Sequence, residues 1–133
     1  TRFPTPGHLA AWAGLAPGSR ESAGKHKPSG TRKGSRHLRT AMIEAAKSAS
    51  RTKGTFLAAR YRRVARRRGH QKATVAVAHS MLVAAWHMLS TGEVYNDLGE
   101  EHFDRYQQPE RRHHRAITEL QAAGYTITTP QAA

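Results

Sequence analysis

Apolar residues recur along this chain at helical spacing, in blocks separated by glycine and proline. Over residues 6–13, His8, Leu9 and Trp12 fall near one face, with Leu15 just beyond. Pro6 suits a first turn, and Gly14, Pro17 and Gly18 stop the pattern. Ser35 can cap a second helix running to about residue 51, with Leu38, Met42, Ala45, Ala46 and Ala49 as its apolar stripe. Gly54 breaks that run and Thr55 can cap a third helix that ends at Gly69. In it Phe56, Leu57, Ala59, Tyr61, Val64 and Ala65 are interleaved with six arginines. Residues 71–90 are apolar nearly all round and hold no breaker. They predict a helix at the centre of a bundle, closed by Thr91 and Gly92.

Residues 100–107 predict a short helix. Pro109 opens another, with Ile117, Leu120 and Ala123 as its stripe and Gly124 as its stop. Residues 125–129 are rich in β-formers but have no partner strand, so an extended segment is expected. The reading is therefore all-α: a small helical bundle with a long basic loop over 18–34 and a short extended C-terminal tail. At 133 residues the chain suits one domain, with a helical core over 1–98 and an acidic, helical tail over 99–133. It opens Thr1-Arg2-Phe3 without an initiator Met and is read as a fragment of a longer protein.

Charge changes the picture. Lys and Arg number 22 against nine Asp and Glu, a net charge of +13. From Lys25 to Lys72 there are sixteen basic residues and one acid, Glu44, whereas from Ala73 to the end there are four basic and seven acidic residues. A field this concentrated points to a polyanion, nucleic acid first. With no Cys, disulfides and Cys-based zinc sites are excluded and an intracellular, cytoplasmic location is the default. The apolar stretch over 73–89 is interrupted by His79, Ser80 and His87 and reads as core, so no membrane partner is expected.

Three groups of residues could carry chemistry. On the third helix Arg60, Arg63 and Arg67 share a face by i, i+3, i+7 spacing, with Arg62 and Arg66 beside them, an array of planar donor forks suited to phosphates. The loop holds Ser22 among small residues, with Lys25, Lys27, Arg32 and Lys33 nearby and Arg36 and Arg39 on the next helix. Such cations would attract a phosphodiester, although a serine hydroxyl is a weak nucleophile unless activated. Gly24-Lys25 is not a P-loop. Five residues rather than four separate Gly18 from Gly24, and His26 stands where Ser or Thr is needed. The nine histidines lack ligand spacing. His79 and His87 read as core packing, and no metal site is expected in the chain. Asp97, Glu100, Glu101 and Asp104 read as capping and first-turn charge.

At this point the residues resemble a family. The run Phe3-Pro-Thr-Pro-Gly-His-Leu-Ala-Ala-Trp-Ala-Gly-Leu-Ala-Pro-Gly18 is similar to the opening of the C-terminal transposase domain of the insertion-sequence one-ten family. Glu21-Ser-Ala-Gly-Lys25, Arg32-Lys-Gly34, Leu38-Arg39, Tyr61-Arg-Arg63, Arg67-Arg-Gly69, Ala76-Val-Ala-His79, Trp86-His-Met-Leu89 and Tyr95-Asn-Asp-Leu98 follow in the family's order. The resemblance implies DNA recombination by a homo-oligomer, in some members guided by an element-encoded RNA, acting at the nucleoid. It implies an upstream RuvC-like domain, outside this chain, whose Asp/Glu/Asp/Asp site takes Mg. It further implies a serine in a Ser-Gly-Gly-like loop that attacks a DNA phosphodiester and becomes covalently joined to DNA. Ser22 is the matching position, with Ala23 in place of one Gly and Glu21 where another Ser occurs. Ser19 is the alternative register. On this reading the chain alone binds nucleic acid without completing strand exchange. The alternative is a non-catalytic basic RNA- or DNA-binding helical module.

Either reading makes binding salt-sensitive. Neutralisation of about five phosphates by the arginine helix gives a log–log salt slope of about −4.5, and affinity falls roughly 500-fold between about 50 and 200 mM salt. Filter binding across that range measures the slope, and a flat response would remove the arginines from the interface.

Overall fold

The computed structural model describes residues 2–18, 21, 22, 24–26, 30, 31, 33–105 and 109–126. Six helices follow in order: α1 (Pro6–Trp12), α2 (Arg36–Ala49), α3 (Phe56–Arg68), α4 (His70–Thr91), α5 (His102–Arg105) and α6 (Pro109–Ala122). The all-α bundle expected from the pattern is what the chain forms. The chain divides into two compact units, Thr1–Glu101 and His102–Ala133.

Polar side chains open the helices where the pattern requires. The Thr5 hydroxyl accepts from the His8 amide, Ser35 from the Leu38 amide and Thr55 from the Ala58 amide, so each supplies an acceptor to an otherwise unmet first-turn donor. Gly92 closes α4 in the left-handed region at φ 75°, and its amide reaches the Met88 carbonyl at 2.9 Å.

In the first unit α4 is the central post. α1, α2 and α3 each pack against it, and every substantial helix–helix packing among the described residues involves it. From 73 to 86 each α4 residue is buried or half-buried whichever way it points, which is why its pattern is apolar all round. At 22 residues α4 is long and apolar enough by composition to cross a bilayer, longer than the interrupted stretch suggested, yet it serves here as a core helix. The core is built from small residues. Ala10, Ala13, Ala46, Ala58, Ala73 and Ala78 are all buried, and Leu15 and Val77 are the largest side chains fully enclosed. The N-terminal segment is tied to the same post, because the Trp86 indole donates to the Phe3 carbonyl at 3.0 Å while Phe3 and Trp12 pack as rings.

Residues 18–34 were expected to be a loop without strands. The described part instead contains a small antiparallel ribbon, β1 (Glu21–Ser22) and β2 (Lys25–His26), in which Ser22 pairs with Lys25 and Glu21 with His26. Gly24 turns the chain at φ 72°, a conformation that L side chains adopt only under strain. Below the ribbon the two arms of the loop meet. Pro17 bridges Thr31, and the Gly18 amide donates to the Gly30 carbonyl at 3.0 Å.

The second unit holds α5 and α6. Ile117 of the expected stripe is half-buried, whereas Leu120 and Ala123 are exposed. The α6 chain ends on Gly124, with the Tyr125 amide returning to the Leu120 carbonyl at 3.0 Å. The expected extended segment lies outside the described residues from 127 onward.

Gly34 crosses the end of α1 so closely that a Cβ there would lie 2.3 Å from the Gly14 nitrogen and 2.5 Å from the Trp12 carbonyl oxygen. Both obstacles are backbone, so no side chain can move aside. Gly34→Ala is expected to cost about 2 kcal/mol in a urea titration. Gly30→Ala, with nothing within 4 Å, should stay within about 0.5 kcal/mol. Equal midpoints for the two variants would contradict the close crossing.

Candidate nucleic-acid interface

The loop stands on a built base. Arg39, from the first turns of α2, donates through one guanidinium nitrogen to the Gly14 carbonyl and, at 2.7 Å, to the Thr31 hydroxyl. It thus ties the end of α1 to the returning arm of the loop. Gly34 crosses beneath, and the Ser35 amide donates to the Trp12 carbonyl at 2.9 Å. The base of the loop that bears the ribbon is therefore tied to α1 and α2.

The expected basic residues distribute unevenly. Ser22 and Lys25 are register partners in the ribbon, nearest neighbours across the ladder. Lys33 and Arg36 are exposed where the loop enters α2, and Arg39 is half-buried in the anchor. Ser19, Lys27 and Arg32 lie outside the described residues. On α3, Arg63 and Arg67 are exposed, and so are Arg62, Arg66 and Arg68. Arg60 departs from the shared face predicted for it. It is half-buried, its Nε is buried without a hydrogen-bond partner, and the residue lines two cavities of about 370 and 610 Å³.

The cause is a segment that returns from α4. Asp97 accepts from the Phe56 amide at 3.0 Å, capping the start of α3 from 41 residues away, and from the Gly99 amide at 2.7 Å. The Tyr95 hydroxyl donates to its other oxygen at 3.3 Å, and Arg62 pairs with Glu100 at 3.0 Å. Asp97 is thus a capping residue, as expected, but for a helix far off in sequence, whereas Glu100 pairs with an arginine. Tyr95, Asn96 and Leu98 line the smaller cavity with Arg60 and so cover it on that side. Desolvation pushes the Asp97 carboxyl up, but the hydrogen bonds from Phe56, Gly99 and Tyr95 outweigh it and hold the group below its ordinary value. Burial, then the Asp97 charge and hydrogen bond, push the Tyr95 phenol up.

His79 was read as core packing. It is half-buried on α4 and lines both cavities beside Arg60. Burial and then the Arg60 charge lower its pKa, so the neutral ring is favoured. Lys72, absent from the expected set, stands on the larger cavity with Gln71. Both fall in stretches that carry the family resemblance, Lys72-Ala73 and Ala76-Val-Ala-His79, but only the packing of α3 on α4 brings them to the cavity that Arg60 lines. Among the described residues no three His, Asp or Glu side chains group as a metal site.

These features define a basic helical module with a glycine-turned ribbon anchored on a small-residue bundle. Residues 1–62, somewhat under half of the chain, are similar to the sequence model described as the Transposase IS116/IS110/IS902 family. That stretch contains α1, the ribbon with Ser22, α2 and the first half of α3. No curated protein and no solved structure matches the chain.

Because the folded pKa of His79 lies below its ordinary 6.5, the unfolded chain binds that proton first as pH falls. Stability contributed by the neutral ring is present above 6.5 and is lost as pH falls from there through the lowered folded value. Asp97 adds a second loss further down, below its ordinary 3.8. Urea midpoints measured against pH should therefore decline in two windows. His79→Gln should flatten the upper window alone, and an unchanged upper slope in that variant would show that His79 is not the group responsible.

Proposed function

We propose that this chain is the DNA-acting part of an insertion-sequence transposase, and that Ser22 is its nucleophile. The observation that carries the reading is the coincidence of the family match with the anchored ribbon: residues 1–62 include Ser22 and every contact described at the loop's base. A nucleophile that attacks a phosphodiester must be held in place, since misplacement of about 1 Å can cost about 100-fold in rate. The anchor formed by Arg39, Thr31, Gly34 and Gly14 supports such positioning.

In the proposed step the Ser22 oxygen forms a bond to phosphorus while the bond from phosphorus to one deoxyribose oxygen breaks. The hydroxyl proton leaves to water and the released sugar oxygen takes one up, so one phosphodiester replaces another and no external energy source is needed. Lys25, the register partner of Ser22, and the cations of the loop and α2, Lys27, Arg32, Lys33 and Arg36, offset charge that grows on the phosphoryl oxygens. The exposed arginines of α3, Arg63 and Arg67 among them, hold the flanking backbone without reading sequence. On this reading full recombination draws on the metal-binding domain and the oligomer that the family resemblance implies and, as in some members, on a guide RNA.

The test is a denaturing gel of the protein extended through its upstream domain, incubated with Mg²⁺, element-end DNA and any element-encoded RNA. A slow-migrating protein–DNA adduct is expected, and it should vanish in Ser22→Ala. An adduct that survives the substitution moves the role to Ser19 or elsewhere. Binding without an adduct in either protein favours the non-catalytic module.

A further inference from the structure

The larger cavity, about 610 Å³, falls within the range usual for sites that take a small ligand, about 300–1,000 Å³. Its walls are mainly apolar, from Leu15, Val75 and Ala76, and Arg60, His79, Lys72, Gln71 and Thr31 add polar groups to the lining. A fully apolar groove would suit a hydrophobic segment, and a fully polar one a bare ion. This groove combines the two characters.

Arg60 is the informative residue. Its charge is permanent, and its Nε is buried with no partner. A permanent positive charge on the wall of a groove that is open to solvent favours an anionic ligand over a neutral one. The rigid outer surface of a duplex meets the exposed arginines of α3 and is poorly shaped to reach a guanidinium recessed between α3 and α4. A nucleotide turned out of its stack is narrow enough to enter, with an anionic end for the guanidinium and an apolar body for the walls. Neutral His79 offers one donor and one acceptor ring nitrogen to such a ligand.

We infer that this groove receives a single unstacked nucleotide, its phosphate on Arg60 with Lys72 beside it, and its sugar and base against Leu15, Val75 and Ala76. The site lies directly under the loop, since Pro17, Gly30 and Thr31 form its rim. A nucleotide held there sits beside the base of the ribbon that carries Ser22. The assignment rests on the nucleic-acid reading above but not on the identity of the nucleophile.

The experiment follows arginine Nε–Hε signals of the full chain by NMR while deoxythymidine 5′-monophosphate, or inorganic phosphate, is added. The Arg60 signal should move saturably, with the nucleotide binding at least about tenfold more tightly than phosphate. Arg60→Lys, which keeps the charge but loses the planar fork, should weaken the nucleotide about tenfold with an unchanged melting temperature. Arg51→Gln, which removes an exposed charge at the end of α2, should leave affinity within about twofold. Equal affinity for nucleotide and phosphate would overturn the proposal, as would an unmoved Arg60 signal or equal weakening by Arg51→Gln. Ser22→Ala must bind the nucleotide normally. An adduct at Ser22 without nucleotide binding would sink the groove and leave the serine reading standing, and nucleotide binding without an adduct would do the reverse.

Discussion

The close approach of three helices to α4 is the constraint on which the first unit depends. Helices separate by a distance set by the side chains between them. Here the fully buried side chains are mostly single methyl groups, Ala10 from α1 and Ala13 just past its end, Ala46 from α2, Ala58 from α3, with Ala73 and Ala78 on α4 itself. Alanines cost little side-chain entropy on burial but also remove little apolar surface from water. Stability must then come from fit rather than from the mass of the core, and a larger residue at any of these positions would force the helices apart. The same closeness brings the end of α1 against Gly34, where no side chain can be accommodated.

The loop inherits its geometry from that packing. Arg39 reaches both Gly14 and Thr31 because α1 and α2 lean on one post, and Pro17 and Thr31 meet because the arms leave from neighbouring points. A segment with many glycines and like charges would otherwise be a poor candidate for order. The bundle thus converts a flexible, repelling stretch into a loop with an anchored base. It also divides labour among the cations, with Arg39 engaged in the anchor while Lys33 and Arg36 remain exposed.

Most of the fold was legible in local chemistry. The Ser35 and Thr55 caps, the glycine stops and the all-round apolar character of α4 are short-range signals, and each predicted helix formed within a few residues of its expected bounds. The ribbon was not legible. Two residues per strand leave no alternation to detect, and the pairing depends on a loop base that is set by contacts distant in sequence. Of the acidic cluster, Asp97 caps a helix as expected, but it could not be assigned to α3, because Asp97 and Phe56 are joined only by the fold. His79 carried no sign of its neighbour Arg60 for the same reason.

The split among the arginines of α3 shows where helical periodicity stops being informative. Seven residues are nearly two turns, so Arg60 and Arg67 point within about 20° of each other on an ideal helix. By that measure they should share an environment, yet Arg67 is exposed and Arg60 half-buried. The difference lies along the axis and not around it. Asp97 clasps the start of α3 and Glu100 pairs with Arg62, so the returning segment runs beside the N-terminal half of the helix. Tyr95, Asn96 and Leu98 then cover Arg60 from one side, and α4, through His79 and Ser80, borders it from the other. Arg66, Arg67 and Arg68 lie beyond that cover. One arginine-rich helix therefore presents two chemistries. Its far end is an exposed array of guanidinium groups, and nearer its start Arg60 stands half-buried at the wall of two cavities beside an Arg62 that is paired with Glu100.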